Sequence, residues 1–169
     1  MTDIKNLYER YAADVRRFAL YLCGDVVMAD EITSETFVRA WMAAGRIRQP
    51  TVKSYLFTIA RNAYTDLSRR AARHAQLDQN MPDTRSSAQM QIEQSAEVRA
   101  VLAALQQLTE MDRTALLMRA LDEMPYEEIA DTLGITVASA KVKVHRARLK
   151  LMQTRETLRE IIPAAEDKP

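Results

Sequence analysis

Glycine is scarce in this chain, with three residues in 169, alongside five prolines, one cysteine and two histidines. So few glycines and prolines leave long segments without a break, and the abundant Ala, Leu, Arg, Glu and Met favour helix. No run of β-branched residues alternates strictly with polar ones, which argues against a large sheet. Cys23 is alone, closes no internal disulfide and fits a reducing compartment, where it is expected to act as a small buried hydrophobe. The two histidines, His74 and His145, belong to no Cys/His set with metal-ligand spacing, and no glycine-rich phosphate loop exists. No metal, no cofactor, no small-molecule substrate and no enzymatic activity are therefore expected. No apolar stretch approaches the ~20 residues of a membrane span, and the opening MTDIKNLYER lacks the charged-then-apolar layout of a secretory signal. A cytoplasmic protein that does not insert into membranes is expected.

Enough apolar residues are present, 47%, to bury a core. The net charge of +1 points to no partner, but the local charges do. Four arginines against one aspartate lie between Arg61 and Arg73, and five cations with no carboxylate lie between Lys141 and Lys150. Two basic patches far apart in the chain do not resemble uniform solubilising charge.

The periodicities predict an all-α protein of two small helical domains joined by a flexible linker, the second carrying a helix-turn-helix. The first domain spans residues 1–73. IKNLYERYAADVRRFALYLC repeats Leu7, Tyr11, Val15, Phe18 and Leu22 at helical spacing; ADEITSETFVRAWMAAG forms a second helix, with Asp30 near its start and Gly45 as its stop. In that helix Phe37 and Trp41 share one face and are expected in the core. Gly45 and Pro50 mark a loop, and a long helix follows from Val52 to about Arg70. Residues 74–87, polar with a proline, have linker composition. The second domain covers 88–163, ahead of a short tail at 164–169. Its helices include one carrying Val98, Val101, Leu102, Leu105 and Leu108, and another with Thr109 as N-cap.

Tyr126–Leu133 is predicted as a short helix, broken at Gly134, with a second helix from about Val137. Two helices joined by a glycine-containing turn form the unit that presents a helix to the major groove. Pro125 suits the first position of the supporting helix, and Glu127 and Glu128 favour its positive end. At about 100° per residue, Val137, Ala140, Val144, Ala147 and Leu151 make one packing stripe of the second helix. Opposite lie Ala138, Ser139, Val142 and Arg146, flanked by Lys141, Lys143, Arg148 and Lys150. Arg146 can donate two hydrogen bonds to guanine, Val142 can meet a thymine methyl, and Ser139 can reach base or phosphate. The flanking cations suit phosphates.

SYLFTIARNAYTDLSRR has the same two-faced character. Leu56, Ile59, Ala60, Ala63 and Leu67 form a stripe, while Ser54, Thr58, Arg61, Asn62, Thr65 and Arg69 line the other side. Tyr55, Phe57 and Tyr64 stand at the boundary, where rings could stack on unpaired bases.

ADEITSETFVRAW, SYLFTIARNAYTDLSRR and LTEMDRTALLMRAL…YEEIADTLGITVASAKVKVHRAR, in this order, resemble the extracytoplasmic-function (ECF) sigma factors of the sigma-70 class. The resemblance covers about Leu7–Arg73 and Val98–Leu151. It implies a subunit that directs core RNA polymerase to promoters and helps open the minus-ten region. By motif position, Glu31, Ser34, Glu35 and Arg39 would meet the clamp coiled coil of the largest polymerase subunit. Lys53, Ser54, Arg61, Asn62, Thr65 and Arg69 would hold the minus-ten strand, with a flipped base captured by the loop Gly45–Lys53 and Asn62. Ser139, Lys141, Val142, Lys143, Arg146 and Arg148 would read the minus-thirty-five duplex. An anti-sigma factor that clamps both domains is a further implied partner. The residues alone also permit a conventional helix-turn-helix regulator with a helical dimerisation or ligand module, or a helical interaction protein without DNA function.

Overall fold

The computed structural model describes residues 3–43, 51–77 and 95–161, the last six of these in backbone only. Among them are seven helices and no strand. α1 spans Ile4–Cys23, α2 Val26–Met42 and α3 Val52–Leu77. α4 spans Ala96–Gln106, α5 Glu110–Asp122, α6 Tyr126–Leu133 and α7 Val137–Ile161. None is long and apolar enough to cross a membrane. The loop residues 44–50, most of the expected linker and the tail at 164–169 fall outside the described residues.

Local chemistry sets the helix ends. Asp3 and Asp25 cap α1 and α2, each side chain accepting from the backbone N–H two residues on. α2 therefore starts a turn before Asp30, which instead pairs with Arg16 across to α1 at 2.8 Å. α3 runs beyond Arg70 to Leu77, because nothing in ARHAQL breaks it. Ser95 and Thr109 cap α4 and α5 through their hydroxyls. The cap of α6 is Pro125 itself rather than Met124, and Met124 is fully buried. Proline thus sits one position earlier than its sequence suggests, where it still loses no helical hydrogen bond.

α5 ends with Glu123 in the left-handed region at φ 50°, the non-glycine residue with positive φ among those described. Its N–H donates to the Arg119 carbonyl, and the Met124 N–H reaches back to Met118. This doubled closure is a helix stop that usually takes glycine, since a Cβ there is crowded. Glu123→Gly is expected to stabilise the protein by about 0.5–1 kcal/mol, a rise in melting temperature of roughly 1–4 °C. Thermal unfolding followed by circular dichroism checks it.

α1, α2 and α3 pack on one another, with the rings of Phe18 and Phe57 stacked 4.4 Å apart at the centre. α5, α6 and α7 form the second group, with α4 alongside α5 and α7. The two groups do not stand apart. α1 meets α4 and α5, α3 meets α5, and the buried apolar residues of both groups join in one cluster. At Gly24, φ 72°, a Cβ would lie 3.0 Å from the Gln106 side chain, whose amide donates to the Leu22 carbonyl. A glycine there serves both the left-handed turn and the close approach of α4.

Candidate nucleic-acid interface

α6, the turn at Gly134 (φ 66°) and α7 make the expected helix-turn-helix. Thr136 accepts from the Ser139 N–H at 3.1 Å and so starts α7. The packing stripe is as its periodicity requires: Ala140, Val144 and Ala147 are fully buried against the domain, with Val137 and Leu151 partly so. Ala138, Lys141, Val142, His145, Arg146 and Arg148 face outward, and Val142 is 58% exposed. Ser139 and Lys143 are half-buried at the margins.

The cations of α7 are held rather than loose. Arg146 forks onto Asp112 of α5, with Nε and Nη2 each 2.8 Å from a carboxylate oxygen. Lys143 Nζ lies 3.8 Å from the same carboxylate. Lys150 donates to the Gln107 carbonyl at 2.7 Å. On the other flank, Lys141 stands 5.8 Å over the Tyr126 ring, which Arg119 also covers. Arg146, expected to donate two hydrogen bonds to guanine, spends two of its donors within the protein. The Arg146 guanidinium holds the Asp112 carboxyl below the usual range against the opposing effect of burial.

The second candidate surface, on α3, is placed differently from its sequence pattern. Ser54 is 3% exposed. Its hydroxyl donates to Asp122 of α5 at 2.7 Å and accepts from Thr51. Lys53 donates to the Leu121 carbonyl at 3.1 Å and stands 3.9 Å from Asp14. Arg61 lies 3.7 Å from Glu110 and against the Met111 sulfur. Thr65 bonds back to the Arg61 carbonyl, while Asn62 and Arg69 are exposed. Three of the six expected strand-binding residues therefore face α5. Phe57, expected at the boundary, is buried in the core on Phe18. Tyr64 receives a hydrogen bond from Arg113 at 3.2 Å. Arg113 is itself 5% exposed, and it also donates to the Leu105 carbonyl in the last turn of α4 and to the Leu108 carbonyl just beyond it. This buried cation therefore ties three segments together at the negative end of a helix.

Like charge collects where α3 meets α5 and α6. Glu128 Oε1 is buried without a hydrogen-bond partner. Burial first, and then the Asp122 carboxylate, push the Glu128 carboxyl upward. Packing of the two groups thus gathers Asp122 and Glu128 about one serine, with Asp131 nearby.

On α2, Glu31 and Ser34 are exposed, and Glu35 and Arg39 half-buried. Arg39 bridges Glu35 and Asp66 at 2.9 Å each, so it links α2 to α3 as well as forming the i, i+4 pair. Trp41 is not in the core: it is 64% exposed, beside Val38 at 49% and Met42 at 79%. Phe37 is buried as expected and meets Tyr8 edge-on. Positions 31, 34, 35, 38, 41 and 42 recur at helical spacing and form one outward stripe, acidic at one end and apolar at the other. The apolar end is masked in the sequence because large side chains at helical spacing are usually core, but the spacing carried forward from Glu31 passes through it.

The Cys23 thiol, pushed up to about 11 by burial, is not a nucleophile at neutral pH. No group of His, Cys, Asp and Glu able to hold a metal is found among the described residues.

Comparison with known proteins places the whole chain in one family. Residues 7–74 match Sigma-70 region 2, and residues 98–151 match Sigma-70, region 4. The ECF RNA polymerase sigma factor SigM of Bacillus subtilis is 30% identical over 88% of this chain and 92% of its own length. The ECF RNA polymerase sigma factor SigL of Mycobacterium tuberculosis is 30% identical over 92% of this chain and 90% of its own. Among solved structures, the sigma factor RpoE in complex with the anti-sigma factor NepR from Bartonella quintana is similar in fold. Its TM-score is 0.76 at 22% identity, covering 92% of this chain and 98% of that one. CnrH in complex with the cytosolic domain of CnrY has a TM-score of 0.65 at 24% identity, covering 91% of this chain and 88% of that one. With both sigma-70 regions in order and relatives matched over nearly their full length, the chain belongs to the ECF RNA polymerase sigma factors.

Proposed function

We propose that this sigma factor divides promoter recognition between three helices. α7 reads the minus-thirty-five duplex with Ser139, Val142 and Arg146, and its flanking cations grip phosphates. The polar side of α3, with Lys53, Ser54, Arg61, Asn62, Thr65 and Arg69, holds the separated minus-ten strand. The α2 stripe, Glu31, Ser34, Glu35 and Arg39 continued by Val38, Trp41 and Met42, docks on the clamp coiled coil of core polymerase. The chain acts as a specificity subunit rather than a catalyst, in the cytoplasm beside polymerase.

The observation that carries this reading is the outward face of α7. Small or apolar residues are exposed between two rows of cations, over a stripe buried at Ala140, Val144 and Ala147. A helix built only for solubility would not leave Val142 bare between lysines. The α2 stripe supports the polymerase contact, since an exposed Trp beside Met is typical of a protein interface.

The packed arrangement of α3 against α5 bears on how the sigma factor works. With Lys53, Ser54 and Arg61 turned to α5, the two groups of helices must part before α3 can take a DNA strand. Where α3 meets α5 the contacts of Lys53, Ser54 and Arg61 are polar and crowded with carboxylates, so polymerase docking can displace them. An anti-sigma factor, such as the one bound to the solved RpoE, would act by covering these surfaces.

Asn62 is exposed on α3 and makes the cleanest probe of strand capture. Asn62→Ala is expected to slow promoter opening by roughly tenfold, the loss of one or two hydrogen bonds to an unstacked base. Duplex docking should stay near the wild-type level. Permanganate footprinting of the holoenzyme on duplex and pre-melted templates checks it. A deficit equal on both templates would remove Asn62 from strand capture.

A further inference from the structure

We propose that Asp112 is a positioning residue for base recognition, gripping one edge of the Arg146 guanidinium so that its opposite edge is presented to the major groove. The inference rests on the reading of α7 as the duplex helix and adds to it a residue from another helix, α5.

The geometry separates an anchor from a reader. Asp112 is buried, with its side chain 6% exposed, whereas the Arg146 side chain is 57% exposed. The pair is bidentate and side-on: Nε donates to Oδ2 and Nη2 to Oδ1, both at 2.8 Å. A guanidinium has five N–H donors in one plane, and this grip uses two. Of the three that remain, one on each Nη nitrogen points along the free end of the fork. Two parallel donors at that spacing are what the O6 and N7 acceptors of guanine accept. The contact to Asp112 therefore leaves the base-reading edge of Arg146 free and fixes the plane in which it lies.

The anchor is itself well fixed. Asp112 lies in the first turn of α5, and its N–H donates to the Thr109 cap hydroxyl at 3.3 Å. The residues that follow it, Arg113 to Met118, are all buried. A carboxylate is favoured at that end of a helix. Lys143 at 3.8 Å supplies a second cation on Oδ1, so the buried charge is more than balanced. Because Arg146 holds the carboxyl below its ordinary range, Asp112 stays ionised at every pH at which transcription is assayed. The grip persists across that range.

The chemical benefit is preorganisation. Arginine has a long, freely rotating side chain, and ordering it on DNA opposes binding. Here the ordering is done before DNA arrives. A pin joining α5 to α7 would have no need of a side-on grip that leaves the terminal edge in solvent. A lysine, or an arginine gripped end-on, would pin as well and read nothing.

The test uses holoenzyme assembled from the full chain and core polymerase. The probe is a promoter mapped with that holoenzyme, with its upstream hexamer randomised. Bound DNA is sequenced to give base preference at each position. Arg146→Ala should flatten the preference at one or two positions. Asp112→Asn, which keeps size but not the paired acceptors, should lower preference at those same positions by roughly 3–10-fold, within the discrimination of a bidentate pair. It should change neither the other positions nor the salt dependence, and it should add nothing in the Arg146→Ala background.

A uniform loss at all positions, or a further loss on top of Arg146→Ala, would show a structural pin and overturn the inference. No change in preference with Arg146→Ala would instead remove α7's reading role, a distinct failure. If Asp112→Asn does not fold, Asp112→Glu is read in its place. Moving the carboxylate outward by one methylene should alter preference at the Arg146-dependent position alone, and an unaltered preference there overturns the proposal.

Discussion

Oxidising a Ser54→Cys, Asp122→Cys variant is expected to abolish promoter-directed transcription, and reduction is expected to restore it. The two side chains meet across the junction of the helix groups, Ser54 Oγ to Asp122 Oδ2 at 2.7 Å. A bond there fixes α3 against α5. In that arrangement Lys53 remains on the Leu121 carbonyl and Arg61 remains beside Glu110. None of the three can reach a DNA strand. A conformer tethered shut reduces the competent population directly, so activity should fall at least ~100-fold once cross-linking is nearly complete. Oxidised and reduced forms of one variant are compared, so the effect of losing Ser54 cancels. Cys23 does not interfere, because burial has pushed its thiol up to about 11 and thiolate is what exchanges. Run-off transcription with and without reductant reads the result. Equal activity in both states would mean that the polar side of α3 is not the strand-binding surface.

The second large effect concerns the cations of α7. Lys141, Lys143 and Arg148 flank the reading strip, and Lys141 and Arg148 lie on the exposed surface. If each neutralises a phosphate, replacing all three by Ala removes three counterion-release contributions. The slope of log affinity against log salt should then fall in magnitude by about 3, at roughly 0.9 for each phosphate. Affinity at low salt should fall at least ~100-fold, whereas the base preference of what binding remains should not change. Folding should survive, since Asp112 keeps Arg146 when Lys143 is gone. Holoenzyme binding to promoter duplex at several salt concentrations checks it. An unaltered slope would move the phosphate grip elsewhere on the molecule.

These two surfaces differ in how far the sequence could show them, and the difference is physical. α7 has a single packed side, so its periodicity sorts the centre of each face: Ala140, Val144 and Ala147 lie inside, Val142 and Arg146 outside, with Ser139 and Lys143 at the margin. α3 packs on two sides, against α1 and α2 and again against α5. Its second contact is made by Ser54, Lys53 and Arg61 through hydrogen bonds and ion pairs. A polar residue paired across an interface has the same letter as one in water. Periodicity alone therefore reads Ser54 as solvated when it is buried.

Trp41 is the converse case. A large ring at helical spacing reads as core, yet Trp41 lies on the outward stripe of α2 while Ala40 beside it is buried. Glu123 shows a third limit, since the left-handed stop of α5 has no glycine to announce it. The partner of Arg146 was equally hidden: Asp112 is 34 residues away, in a helix whose own cap already explained a carboxylate. Motif order is legible in a sequence because it follows the chain, whereas pairing across helices depends on the packed structure.

As a sigma factor, this chain gives core polymerase a promoter preference. Adding the purified chain to core RNA polymerase and promoter-rich genomic DNA, with no anti-sigma factor present, tests it most directly. A sigma factor yields new, discrete transcription start sites that share spaced upstream elements and that vanish when the chain is omitted. A transcript pattern identical to that of core polymerase alone would contradict it.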